Sequence, residues 1–199
     1  MNPPVRIALI GSRNLHKKPG FDADIQLLHQ VCYRLACLGI RFTSGLCQQG
    51  LDEIAQIEFS RALDAGLATP DQFEVYIYKR KATYLPHPEL ARLRNPQMLD
   101  QLEAIASALH GGWENCNEYA KGQHTRNVHQ ILGYHLDEPV KAVITWCEVY
   151  PNGQPKGGTA TAIKLATQKG IPVINLHILG RENFLNQIKQ LLIQQKIIK

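Results

Sequence analysis

The sequence predicts an α/β fold in which a parallel β-sheet carries helices on both faces, giving three layers. The stretch from Val5 to Ile10 is almost continuously apolar, which is typical of a strand buried on both faces of a parallel sheet. Strand-like and helix-like patterns then alternate twice within the first 66 residues. This alternation indicates β-α-β-α units, and therefore a parallel sheet.

The elements of the first half follow from hydrophobic spacing and from glycine. After the strand at Val5–Ile10, Gly11 closes the apolar run, and a helical pattern starts near Asp22 or Asp24, either of which could cap it. The remaining predictions for this half are the end of that helix at Gly39, a strand at Ile40–Thr43, a helix over Leu51–Ala62 and a strand at Phe73–Tyr78.

The segment 79–122 is the least regular part of the chain. It contains three prolines and an apolar-periodic piece from Met98 to Leu109, so we interpret it as a partly helical excursion from the sheet within one domain that spans residues 1–199. The rest of the chain is predicted to form helices over Thr125–Leu132, Ala160–Gln168 and Phe184–Ile193, with strands at Val140–Trp146 and Ile171–Leu176.

Composition narrows the class of partner. The chain has a formal net charge of +5 and a pI near 9.0, a mild bias toward anionic partners such as nucleotides or nucleic acid. No apolar stretch is long enough to span a bilayer, so we expect no membrane association.

The five cysteines include no CxxC pair, which favours buried thiols in the reducing cytoplasm. No HExxH motif or Cys/His cluster occurs in the sequence, and we therefore predict no metal site.

Three predicted loops contain the same residue types, a glycine beside a serine or threonine. Gly11-Ser12-Arg13 follows the first strand, Ser44-Gly45 follows the second, and Gly157-Gly158-Thr159 follows the strand that ends at Trp146. In an open parallel sheet these loops meet at the carboxyl edge, where ligands bind. Glycine lets a ligand approach the backbone, hydroxyls suit phosphate or ribose oxygens, and arginine can grip a phosphate with two hydrogen bonds. The three loops together predict a site for a phosphate-bearing ligand.

Two common nucleotide motifs are absent. The sequence contains no GxxxxGK[ST], which excludes a P-loop NTPase, and no GxGxxG opens the first helix, which argues against ordinary NAD binding. We expect no required cofactor, although a bound nucleotide is compatible with the loops.

The ordered motifs resemble those of a known family. Gly11-Ser12-Arg13, the Ser44-Gly45-Leu46 loop, Arg126-Asn127 and Gly158-Thr159 with Thr161 look like the motif set of the DNA-processing protein A (DprA, or Smf) family. That family belongs to the SLOG superfamily of Rossmann-like domains. The block His124–Asn127 is also similar to stand-alone DprA-like proteins encoded by bacteriophages.

The resemblance implies a Rossmann-like sheet whose loops bind nucleotides or the phosphates of single-stranded DNA, in a dimer or larger homo-oligomer of a bacterial or phage-infected cell. It implies these ligand contacts: Arg13, Ser44, Gly45, Arg126, Asn127, Gly158 and Thr159. Members of the DprA family often carry extra domains beside this core, for which 199 residues leave no room.

One difference between this sequence and the SLOG motifs concerns catalysis. SLOG enzymes that cleave nucleotides at the N-glycosidic bond carry PGGxGTxxE, whereas this chain reads PKGGTATAI over residues 155–163, without the glutamate. Such a hydrolase needs a carboxylate near the ribose, and Glu148 and Asp52 are the candidates. The leading hypothesis is therefore non-catalytic binding of a nucleotide-derived phosphate ligand. The alternatives are DprA-like binding of single-stranded DNA and N-glycosidic hydrolysis of a nucleoside phosphate.

Overall fold

The computed structural model describes residues 5–79 and 87–199 and contains six strands. They are β1 (Arg6–Gly11), β2 (Arg41–Gly45), β3 (Phe73–Ile77), β4 (Ala91–Leu93), β5 (Ala142–Trp146) and β6 (Val173–Asn175). All pairings are parallel, and the strand order is β4-β3-β2-β1-β5-β6. The predicted α/β class with a parallel sheet is confirmed.

The strand order places a reversal of chain direction beside β1. From β1 the chain moves outward through β2 and β3 to β4, then returns to β5 on the other side of β1 and continues to β6. Ile10 of β1 is in register with Thr145 of β5, and Gly11 with Trp146. The carboxyl ends of β1 and β5 therefore lie next to each other at a topological switch point, the usual ligand position in this kind of sheet.

Helices cover both faces of the sheet. In chain order they are α1 (Asn14–Lys17), α2 (Asp22–Cys37), α3 (Leu51–Asp64), α4 (Leu99–Leu109), α5 (Glu118–Leu132), α6 (Ala160–Gln168) and α7 (Leu176–Gln194). Gly180 interrupts α7 with non-helical backbone angles. Within the described ranges, none of these helices is long and apolar enough to cross a membrane.

Alternation along the central strand separates two hydrophobic cores. Ile7 and Leu9 point into a core that α2, α3 and α7 cover, whereas Ala8 and Ile10 point into one that α4, α5 and α6 cover. Every residue of β5 is buried, because helices shield that strand from both sides. This arrangement is the predicted three-layer, Rossmann-like fold.

The irregular segment contains more order than its sequence indicates. Residues 80–86 of the predicted excursion lie outside the described residues. The remainder adds the edge strand β4, which pairs with β3, and the predicted helix α4, which packs its buried Leu102 and Ala106 into the second core. Strand β4 is not predictable from the sequence, because three residues are too few to show a strand period.

Three local predictions need correction. Neither Asp22 nor Asp24 caps α2: Phe21 holds the cap position, and the Asp24 carboxylate accepts a hydrogen bond from the Trp146 indole at 3.2 Å. Helix α5 begins at Glu118, seven residues before the predicted start, because the Asn117 side chain caps it by accepting from the Ala120 amide. Leu176 starts α7 instead of ending the last strand.

A test of the first core is the substitution Phe42→Ala. Phe42 is 1% exposed, with its ring 6.2 Å from that of Phe59 and 6.1 Å from that of Phe73. We expect the free energy of unfolding, measured by urea denaturation, to fall by about 3–5 kcal/mol, because the alanine leaves a cavity beside the two remaining rings. The half-exposed Leu67 serves as the control, and Leu67→Ala should cost about 0.5 kcal/mol or less. Equal effects of the two substitutions would contradict this packing.

Candidate functional site

A cavity of about 380 Å³ opens at the switch point. Its walls come from the loop after β1, the loop after β2, the loop before α6 and one side of α5. The principal lining residues are Gly11 to Asn14, Lys17, Leu46, Cys47, Asp52, Tyr119, Gln123, His124, Arg126, Asn127, Gln130 and Gly157 to Thr159. The cavity volume is within the range of small-molecule sites, roughly 300–1,000 Å³.

Asp52 joins two of these loops. The Gly11 amide donates to its Oδ2 and the Gly45 amide donates to its Oδ1, each at 3.1 Å. Asp52 lies in the first turn of α3 and is only 4% exposed. Burial raises the pKa of its carboxyl group, and the charge of Arg126 is the largest of the opposing influences. These two hydrogen bonds tie the end of β1 and the end of β2 to the first turn of α3.

Arg126 lies across Gly45. A side chain at Gly45 would overlap the Arg126 guanidinium, so glycine is required there for the arginine to reach this position. Arg126 is 8% exposed and donates one long hydrogen bond, 3.4 Å, to the carbonyl of Tyr76. Among residues 5–79 and 87–199, no carboxylate lies within 4.0 Å of it. A buried cation therefore lines the cavity without an ion-pair partner.

Two buried donors in this wall have no protein acceptor. Neither the Nε atom of Arg126 nor the Nε2 atom of Gln130 makes a hydrogen bond within the described part of the chain. Gln130 is 1% exposed, and both residues line the cavity. Unsatisfied buried donors cost about 1–3 kcal/mol each, so this wall of the cavity contains hydrogen-bond donors that the protein itself does not satisfy.

The loop before α6 forms the opposite wall. Gly157 has a φ of +73°, which favours glycine, whereas Gly158 has no such constraint and nothing lies within 4 Å of where its Cβ would be. The Asn127 side chain holds this loop by donating to the Gly158 carbonyl at 2.9 Å. Thr159 occupies the cap position of α6, but its side chain makes no capping hydrogen bond. The helix N-terminus faces the cavity beside open space, a favourable place for an anion.

Cations also surround the mouth of the cavity. Arg13 and Lys17 are exposed there, and within the described residues neither has a carboxylate within 4.0 Å. Asp52 is the one acidic residue among the lining residues, and amides occupy both of its oxygens. The balance of charge at this site is positive and suits an anionic ligand.

Most predicted site residues line the cavity. These are Gly11, Ser12, Arg13, Arg126, Asn127, Gly157, Gly158 and Thr159. Gly11 also has a packing role, because a side chain there would lie 2.7 Å from the Cβ atom of Leu51. Gly158 has no such neighbour, and its lack of a side chain leaves space in the cavity.

Three predicted contacts lie behind the cavity wall instead of in it. The Ser44 hydroxyl is fully buried and donates to the Leu9 carbonyl at 2.6 Å. Gly45 contributes the amide that Asp52 holds and the space that Arg126 fills. Thr161 is 1% exposed, and its hydroxyl is 2.7 Å from Nδ1 of His124. Each of these three residues has a protein partner in the structure and does not line the cavity.

Other lining residues escaped the sequence analysis. Gln130 and Gln123 lie on α5 beside Arg126 at helical spacing, which could have pointed to them once Arg126 was chosen. His124 also lines the cavity. Burial is the largest of the influences that lower the pKa of His124 to about 4, and the charge of His110 adds to it, so the imidazole is neutral at pH 7.

The two acidic residues considered as hydrolytic groups both accept hydrogen bonds from other parts of the protein. Glu148 accepts from Asn14 at 2.7 Å and from Lys18 at 2.6 Å, and these hydrogen bonds lower the pKa of its carboxyl group. It does not line the cavity. Asp52 does, but its two oxygens each accept a backbone amide.

The strand order and the position of the cavity define the chain as a Rossmann-like α/β protein with its pocket at the switch point. A scan against protein-family models and searches of curated proteins and of solved structures found no match.

The Asp52 contacts can be tested with Asp52→Asn. An asparagine can accept one of the two amides, but its NH₂ group would face the other donor, and Arg126 would lose its nearby negative charge. We expect the free energy of unfolding to fall by about 1–3 kcal/mol, measured by urea denaturation. Asp137 is exposed, so Asp137→Asn should change stability by less than about 0.5 kcal/mol. Wild-type stability of Asp52→Asn would show that the carboxylate does not hold the two loops.

Proposed function

We propose that this protein binds a nucleotide-derived phosphate ligand in the cavity without consuming it. The observation that carries the proposal is the buried, unpaired guanidinium of Arg126 in the cavity wall. The nearby Asp52 carboxylate lies more than 4.0 Å away and has both oxygens engaged by backbone amides, so a phosphate would supply a direct ion-pair partner together with acceptors for the planar donors.

The opposite wall supports the same ligand class. Gly157 and Gly158 leave the backbone open in front of the N-terminus of α6, where helix dipoles favour phosphate. Arg13 and Lys17 at the mouth add positive charge. The side-chain amides of Gln123 and Asn127 are polar partners of the kind that recognise a base or a ribose.

The two candidate catalytic carboxylates already accept hydrogen bonds from the protein, which favours ligand binding over catalysis. Hydrolysis of an N-glycosidic bond needs an acid free to stabilise the developing cation or to activate water. Asp52 uses both oxygens to hold loops, and Glu148 is held by Asn14 and Lys18 outside the cavity. The release of free base from a nucleotide pool would be the activity that contradicts a non-catalytic role.

Membership in the SLOG superfamily, close to the DprA-like proteins, is part of this proposal. It is supported by the cavity position of Gly11-Ser12-Arg13, Arg126-Asn127 and Gly158-Thr159, three of the four motifs that carry the resemblance. A cytoplasmic role in a bacterial or phage-infected cell and assembly into a homo-oligomer belong to the same proposal. Size-exclusion chromatography with light scattering would test the assembly.

Binding of single-stranded DNA is the second candidate function, and one surface favours it. Tyr119 at the mouth of the cavity is 63% exposed, and its ring is 5.8 Å from that of Tyr78. The charged groups of Lys79 and Arg94 lie 5.0 Å and 5.2 Å from the Tyr78 ring centroid. Exposed aromatic rings beside cations are the usual platform for unpaired bases.

The phosphate-binding role can be tested with Gly158→Ala. The added methyl group meets no protein atom within 4 Å, so the variant should fold normally and yet occupy space that the ligand needs. We expect affinity for the bound nucleotide, found by titrating a panel that includes cyclic and ADP-ribose types, to fall by about 10- to 100-fold. Isothermal titration calorimetry measures it.

Gly111→Ala is the matched control for this experiment. Gly111 also has open space around its Cβ position, but it lies outside the cavity, so its substitution should leave affinity unchanged. Absence of binding or of a thermal shift with every member of the panel would contradict the proposal. Equal affinities of the two variants would place the ligand away from Gly158.

The DNA-binding candidate predicts both a salt response and a role for Tyr119. Affinity for an oligonucleotide, measured by fluorescence anisotropy, should fall steeply as salt rises, because counterions are released when phosphates bind. Tyr119→Ala should remove about 1–3 kcal/mol of binding free energy if a base stacks there. Tyr150 is also half-exposed and carries a lysine over its ring, so Tyr150→Ala serves as the control. A flat salt response would remove this candidate.

A further inference from the structure

Three side chains that commonly bind transition metals meet beside the cavity. His110 follows α4, Cys116 lies in the connection to α5, and His124 is on α5 itself. One potential ligand atom from each of the three lies within 4.8 Å of the other two. The Cys116 sulfur is 3.7 Å from Nδ1 and 3.9 Å from Nε2 of His110, and the two imidazole centroids are 4.4 Å apart.

We propose that His110, Cys116 and His124 form a binding site for a divalent transition-metal ion of the zinc type. Two imidazole nitrogens and a thiolate are the donors that Zn²⁺ prefers, at about 2.0–2.1 Å and 2.3 Å respectively. Those bond lengths in a tetrahedron place sulfur and nitrogen about 3.6 Å apart. The two observed separations, 3.7 and 3.9 Å, run from the Cys116 sulfur to the two nitrogens of the single His110 ring. Whichever of these nitrogens binds, its separation from the sulfur is already close to the one that a bound ion would impose.

The protein partner of His124 fits the proposed site. Nδ1 of His124 is 2.7 Å from the Thr161 hydroxyl, which leaves Nε2 as the nitrogen available to a metal. Histidine ligands generally engage their second nitrogen in this way, which fixes the orientation of the ring. The hydrogen bond also explains why Thr161 is buried and polar at the first turn of α6.

The remaining contacts of the cluster are weak enough to be exchanged. Nδ1 of His110 accepts from the Gly112 amide at 3.2 Å, and the Cys116 sulfur is 3.6 Å from the Gly112 carbonyl. Cys116 and His110 are partly exposed, so an ion can reach them from solvent. On binding, the Cys116 thiol loses one proton to the buffer and its sulfur becomes a thiolate ligand.

Three protein ligands leave the fourth tetrahedral position for water or another donor, the pattern of an open zinc site. Because His124 belongs both to this cluster and to the cavity wall, the ion would lie one imidazole ring away from the proposed phosphate site. The metal site requires no nucleotide, so the two proposals stand or fall separately.

The test uses the full-length protein, stripped with a chelator, kept reduced and titrated with ZnCl₂ by calorimetry and with CoCl₂ by absorption spectroscopy. We expect one ion per chain, a rise in the thermal midpoint on addition of Zn²⁺, and a thiolate-to-cobalt charge-transfer band. Cys116→Ser and His110→Asn should each weaken affinity by at least about 10- to 100-fold, and Cys116→Ser should abolish the band.

Cys37→Ser is the control, because Cys37 is an exposed free cysteine remote in sequence from the cluster, and it should bind cobalt as the wild type does. Circular dichroism of the metal-free variants verifies that each is folded. If the wild type binds neither ion at micromolar concentration, or if Cys116→Ser keeps the charge-transfer band, the three residues are an internal packing cluster of His110, Cys116, His124 and the neighbouring Trp113 ring, and the proposal is overturned.

Discussion

One buried carboxylate, that of Asp52, holds the carboxyl edge of the sheet together. Its two oxygens accept the amides of Gly11 and Gly45, which end β1 and β2. A charge in that position is tolerable because the amides and the nearby Arg126 stabilise it. Arg126 in turn needs the bare backbone of Gly45, whose carbonyl accepts from Gln56 at 3.0 Å. The elements of this edge therefore depend on one another, and altering any of them disturbs the others.

The same arrangement leaves the cavity with more donors than acceptors. The guanidinium of Arg126 and the amide of Gln130 are buried with donors unused, while the hydroxyls of Ser44 and Thr161 are satisfied inside the protein. Proteins seldom leave buried polar groups unpaired, and two of the five unpaired buried side-chain atoms in the described residues belong to Arg126 and Gln130, which line the cavity. This wall of the cavity presents more hydrogen-bond donors than acceptors, and a ligand that complements it would be rich in acceptors.

The sequence predicts the sheet and the loops well because both depend on local patterns. The apolar run of β1, the turn residue Gly39 and the loop Gly157-Gly158-Thr159 are visible without a structure. The contact of Asp52 with Gly11 joins residues 41 positions apart, and the approach of Arg126 to Gly45 joins residues still further apart in sequence, which no local pattern records. The hydroxyl of Ser44 illustrates the same limit, since only the neighbouring strand shows that Leu9 satisfies it.

The two outermost strands have a consequence for assembly. Both β4 and β6 are three residues long, and Arg92 of β4 forms an ion pair with Glu74 across the strand. Edge strands as short as these two, one of which also carries a charged arginine, offer little backbone for a second chain to extend the sheet. If copies of this protein associate, we expect them to contact each other through helices or loops and not to form one continuous sheet. The short edge strands also protect the chain from edge-to-edge aggregation.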